Sequence, residues 1–171
     1  VRETAVECLG LAGQSEHLEA AAKLLSDPDP FVRVKAIYAV SFLTKKQGAD
    51  RIAPLLSDPH PFVRHIGLSQ IDYPEARAHA AAVAGLLRDP EQKVRVSAVR
   101  VLGTMGAVES QEAIRAFLED PDPLLLMVAV AALGNLGAPE NAATIRPFLT
   151  AEDTNSTAEL RRRPTEPGRE V

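Results

Sequence analysis

The dipeptide Asp-Pro recurs at Asp27-Pro28, Asp58-Pro59, Asp89-Pro90 and Asp120-Pro121, each time 31 residues after the last. Other columns keep the same step. Leu25, Leu56, Leu87, Leu118 and Leu149 form one, Val1, Val32, Val63 and Val94 a second, and Arg2, Arg33, Arg64 and Arg95 a third. Small residues, Ala5, Ala36, Gly67, Ala98 and Ala129, fill a fourth. Self-similarity at a fixed period of this length marks an array of small units, each burying against its neighbours the apolar face it cannot cover alone.

Within a unit the apolar spacing is helical. Val32, Ala36, Ile37, Val40 and Leu43 lie on one stripe of a 3.6-residue helix, and Ala21, Leu24 and Leu25 mark a shorter helix before it. Proline disfavours helical backbone in the residue it follows, so the first helix is predicted to end near Ser26. Asp29 can then cap the second helix, with Pro30 at its first position, where the missing N–H costs nothing; Asp122-Pro123 repeats that chemistry. Gly13, Gly106 and Gly137 are placed to close second helices. The prediction is an all-α chain of stacked antiparallel helix pairs: a lone second helix near 1–12, four complete pairs, and a final first helix near 140–149. Residues 1–149 would form the repeat domain. Residues 150–171 leave the register, and their Glu, Arg, Thr and Pro content predicts a disordered charged tail.

Composition narrows the functional classes. A formal net charge of -4 over 171 residues argues against a general affinity for nucleic acid or for anionic membrane surfaces. Cys8 is the only cysteine, so neither a disulfide within the chain nor a thiolate metal cluster is available. No apolar run has the length to cross a membrane. The chain opens on Val1, mid-pattern, so a native N-terminus upstream and a cytoplasmic location are the expectations.

The stretches LLSDPDPFVRVKAIYAVSFL and LLRDPEQKVRVSAVRVLGTMG resemble HEAT repeats, specifically the short bacterial phycobilisome-lyase type, over roughly residues 1–149. The signatures of ankyrin and tetratricopeptide arrays are absent. The resemblance implies an armadillo-like, right-handed α-solenoid with first helices on the convex face and second helices on the concave one. It also implies that the pairs Asp27/Arg33, Asp58/Arg64 and Asp89/Arg95 are architectural, a hydrogen-bonded ladder along the stack; in the fourth repeat Leu126 takes the arginine place.

Catalytic and metal constellations are missing. His17, His60, His65 and His79 are scattered over several repeats, with no His-x-x-x-His spacing and no His-Glu pair of the kind found in HEAT-repeat di-iron hydroxylases. No Gly-x-Ser-x-Gly elbow or glycine-rich phosphate loop occurs, so no catalytic residue, metal or cofactor is assigned. The variable columns of the second helices are more informative. One runs Glu7, Tyr38, Ser69, Arg100, Ala131; another Leu11, Phe42, Tyr73, Thr104, Asn135; a third Glu3, Val34, His65, Val96, Met127. If they face the groove, Tyr38, Phe42 and Tyr73 form an aromatic patch flanked by His65, Ser69, Arg100 and Thr104, residue types in which interfaces concentrate their energy. The competing reading is that the aromatics fill gaps between repeats. A second candidate is the run Leu124 to Val128, apolar all round, in which Leu126 and Met127 replace polar or variable positions and call for a cover. The expectation is a non-catalytic scaffold binding a protein or peptide partner, with its oligomeric state left open. The alternative is a subunit of a phycobilin chromophore lyase or isomerase.

Overall fold

The computed structural model describes residues 17–44, 47–137 and 139–149, the last three by backbone alone. The lone second helix near 1–12, Gly13 and the tail 150–171 lie outside the described residues. Among the described residues every regular element is helical. The α-helices are α1 (Leu18–Lys23), α2 (Pro30–Leu43), α3 (Ala49–Ile52), α4 (Pro61–Gln70), α5 (Ala80–Gly85), α6 (Gln92–Thr104), α7 (Gln111–Arg115), α8 (Pro123–Leu136) and α9 (Pro139–Leu149). The second helices α2, α4, α6 and α8 start 31 residues apart, and so do the first helices α1, α3, α5 and α7. The periodic sequence has become a periodic α-solenoid.

Each first helix tightens into a 3₁₀ segment, at Leu24–Ser26, Ala53–Ser57, Leu86–Arg88 and Ala116–Glu119, and stops two residues before the proline, with the aspartate between. Asp27, Asp58, Asp89 and Asp120 all take extended backbone, with ψ between 136 and 141°. That is the conformation a following proline demands. Their carboxylates then accept the amide two residues on, at 2.8–2.9 Å, closing the turn into the second helix. Asp29 and Asp122 cap α2 and α8, accepting the Phe31 and Leu124 amides at 2.9 Å. In α4 the capping atom is His60 Nδ1, which accepts the Phe62 amide at 3.3 Å, a role the sequence reading did not assign. Gly106 and Gly137 carry φ of 64° and 66°, the left-handed backbone that ends a helix without a Cβ penalty.

The core is the set of repeated columns. Ala21, Ile52, Val83 and Ile114 of the first helices are buried against Val32, Val63, Val94 and Leu125, and against Val40, Ile71, Leu102 and Leu133. The small column (Ala36, Gly67, Ala98, Ala129) is buried throughout. A close helix approach lies outside this column: a Cβ on Gly103 would sit 2.8 Å from Ala132 Cα, so α6 and α8 meet backbone to backbone there.

Polar columns tie successive repeats. Arg33 donates Nε and Nη2 to the two carboxylate oxygens of Asp58, both at 2.7 Å, and Nη1 to the Asp27 and Pro28 carbonyls at 2.8 and 3.2 Å. The carboxylate partner of Arg33 is therefore in the next repeat, while Asp27 of its own repeat supplies only a carbonyl. Arg64 does the same with Asp89, at 2.7 and 2.8 Å, and with the Asp58 and Pro59 carbonyls. Burial pushes the Asp89 carboxyl up, but the Arg64 hydrogen bonds, the Glu91 amide and the charges of Arg64 and Arg95 together carry it below the ordinary value. Arg95 keeps its bonds to the Asp89 and Pro90 carbonyls, at 2.8 and 3.0 Å. Among the described residues it makes no hydrogen bond to Asp120, so the carboxylate rungs run from Arg33 to Asp89.

Candidate protein-binding face

The second helices leave one face uncovered. On α2 the face is Phe31, Lys35, Tyr38 and Phe42, at steps of four, three and four, the spacing of one helical stripe. The columns of Phe31, Tyr38 and Phe42 continue as Phe62 and Ser69 on α4, Lys93, Arg100 and Thr104 on α6, and Leu124, Ala131 and Asn135 on α8, and the column of Val34 adds His65, Val96 and Met127 beside them. Large apolar side chains stand out in it: Phe31 is 53% exposed, Tyr38 44%, Phe42 62%, Phe62 41%, Leu124 43% and Met127 61%. Phe31 and Phe62 were not singled out from the sequence. Their rings lie 6.4 Å apart at 51°, and Phe31 meets His60 at 6.3 Å, so the aromatic patch bridges two repeats.

Tyr73 leaves the patch. Pro74 excludes helical backbone at Tyr73, which is extended (φ -155°, ψ 154°), and α4 ends at Gln70, three residues earlier. The side chain turns off the stripe and packs partly buried against the core, its hydroxyl closed off with no hydrogen bond. Burial pushes that hydroxyl's pKa up, opposed by the nearby Ala49 amide. For Tyr73, unlike Tyr38 and Phe42, gap-filling is what the geometry shows. Val34, from the third variable column, is buried too.

The polar candidates form cross-repeat contacts. His65 Nδ1 lies 2.9 Å from Ser97 Oγ, and burial, then the charges of Arg100 and Lys93, hold its pKa below the ordinary value. Arg100 pairs with Asp72, in the loop that replaces the end of α4. Ser69 donates to the Ile66 carbonyl at 2.8 Å and Thr104 to the Arg100 carbonyl at 3.3 Å, so both hydroxyls are engaged on their own helices. At α8 the two apolar candidates separate. Leu126 is buried within the chain, while Met127 stands open beside Leu124. Among the described residues no cluster of three His, Cys, Asp or Glu is placed to hold a metal ion, and no helix is long and apolar enough to cross a membrane.

Comparison with known proteins accords with this architecture. A search of curated proteins found no match. Among solved structures, an engineered protein matches at 18% identity with a TM-score of 0.65, covering 94% of this chain and 87% of that one. The complex of CpcE and CpcF of phycocyanin lyase from Nostoc sp. PCC7120 matches at 21% identity with a TM-score of 0.66, covering 93% and 68%. Both likenesses are of fold. A family model for HEAT repeats matches residues 1–72 and 79–161, breaking off at Tyr73, where α4 is cut short. With nearly the whole length accounted for by that repeat, the chain belongs to the HEAT-repeat family.

Proposed function

We propose that this chain is a non-catalytic interaction scaffold that binds a protein or peptide partner across the exposed face of its second helices. The observation that carries the reading is the set of six large apolar side chains, Phe31, Tyr38 and Phe42 on α2, Phe62 on α4, and Leu124 and Met127 on α8, standing open on three of the four described second helices. Single exposed hydrophobics are ordinary on protein surfaces, but aligned ones on an otherwise polar body mark a contact surface. Ser69, Thr104 and Arg100 are engaged in hydrogen bonds or an ion pair within the chain, and the serine that meets His65 at 2.9 Å, Ser97, is buried.

The test separates binding from packing. Tyr38→Ala with Phe42→Ala should leave helicity and the urea midpoint almost unchanged while abolishing partner capture by the full-length protein, read by cross-linking and mass spectrometry. Tyr73→Ala is the control: it should lower stability, because that ring is packed against the core. Undiminished capture by the double variant sinks the proposal.

A further inference from the structure

The four described second helices contain no aspartate or glutamate at all; their charges are Arg33, Lys35, Arg64, Lys93, Arg95 and Arg100. Among the described residues the carboxylates lie in the first helices and the segments leading into them, in the Asp-Pro turns, at the second-helix caps and at Asp72. Of the six cations, Arg33, Arg64 and Arg95 are spent on the ladder. On the face itself Lys35, half-buried, lies among the aromatics of α2, while Lys93 and Arg100, both exposed, lie on α6. These last two stand between the aromatics of α2 and α4 and the aliphatics Leu124 and Met127 of α8. Along the stack the face therefore reads aromatic around one half-buried lysine, then cationic, then aliphatic.

Resting on the interaction reading above, we infer that the partner segment is an acidic peptide carrying apolar side chains on both sides of its carboxylate. Packed helices lie about 10 Å apart, so α2 to α6 spans about 20 Å and α6 to α8 about 10 Å. An extended chain advances about 3.3 Å per residue. The fitting peptide has an aromatic or large apolar residue, an Asp or Glu about six positions later, and an aliphatic residue about three positions after that. Asp72 already neutralises part of the Arg100 charge, so Lys93 supplies most of the pull. A nucleic acid suits the face less well. It needs a run of cations spaced to follow phosphates, whereas here Lys35, Lys93 and Arg100 are interrupted and followed by apolar side chains, and the cap carboxylates of Asp29, Glu91 and Asp122 stand at the helix ends.

The test is selection of phage-displayed random 12-residue peptides on the whole chain, followed by fluorescence anisotropy of the enriched peptides. Enrichment of peptides with the stated acidic and apolar spacing is expected. Lys93→Glu with Arg100→Glu should weaken them at least tenfold, and Lys93→Glu alone, on an exposed residue, at least threefold with unchanged circular dichroism. Enriched peptides that are neutral or basic, or indifferent to Lys93→Glu, overturn the inference; if Tyr38→Ala with Phe42→Ala still abolishes their binding, the interaction face itself stands. No enrichment at all removes both. Tighter binding of a labelled 15-nucleotide single strand than of any peptide also overturns the acidic-peptide assignment.

Discussion

Removing Asp58 tests the ladder where it is most buried. Its carboxylate accepts three hydrogen bonds, two from Arg33 at 2.7 Å and one from the His60 amide at 2.8 Å. The two side chains are 11% and 4% exposed, so solvent screens the pair little. Asp58→Ala leaves the guanidinium buried with two unmet donors, although Nη1 keeps the Asp27 and Pro28 carbonyls. Breaking a buried pair from one side costs about 3–5 kcal/mol. Losing the turn cap adds about 1 kcal/mol. A loss of about 5 kcal/mol lowers the melting temperature of a chain this size by roughly 10–20 °C.

The sequence supplies its own rescue. In the fourth repeat Leu126 stands where arginine stood, and one period after Asp120 the residue is Ala151. Arg33→Leu with Asp58→Ala copies that pair. Removing both charges together leaves no orphaned cation, and a hydrophobic replacement for a buried ion pair is often neutral or better. The double variant should therefore be about 2 kcal/mol more stable than Asp58→Ala alone. Urea denaturation followed by circular dichroism reads all three differences as a cycle. A cost under about 1 kcal/mol for Asp58→Ala, or strictly additive effects, would refute the claim that the pair, and not its neighbours, holds the two repeats in register.

Two further perturbations address packing and titration. Gly103→Ala places a Cβ 2.8–2.9 Å from Ala132, partly against backbone that cannot swing aside, and should cost about 1–3 kcal/mol in the same urea assay; a neutral effect would show that α6 and α8 can part freely. His65 has its pKa lowered by burial, then by Arg100 and Lys93, so the fold favours the neutral ring. As pH falls below about 6.5 the unfolded chain takes up that proton first and stability is lost toward the lower folded value. Wild type should thus lose more stability than His65→Gln between pH 7.5 and 5.5; equal losses would count against the assignment.

What could be read from the sequence is what is local or repeated. Asp-Pro forces an extended residue and ends a helix wherever it occurs, so the turns, the caps at Asp29 and Asp122 and the start of every second helix follow from a few residues each. The partner of Arg33 did not follow, because a column states that a residue recurs but not whether it bonds within its unit or across to the next. Tyr73 was misplaced for a related reason. The column put it beside Tyr38 and Phe42, but Pro74 breaks the helix that the column assumes. Phe31 and Phe62 were passed over although their column continues as Lys93 and Leu124. A lysine in a column is a signal that the position meets water.

That signal bears on the site more generally. In a solenoid the residues fixed by the period are those that touch the next repeat, so a function specific to one chain has to reside in the columns that vary. Buried columns vary little here: at the stripe centre Val40, Ile71, Leu102 and Leu133 differ only in aliphatic shape. The exposed columns change chemistry along the stack, from Phe31 and Phe62 to Lys93 to Leu124, and from Tyr38 to Ser69 to Arg100. No packing requirement imposes that order, since these side chains meet solvent at one end. An ordered sequence of aromatic, cationic and aliphatic surface on a uniform scaffold is what the proposed recognition of an extended segment needs.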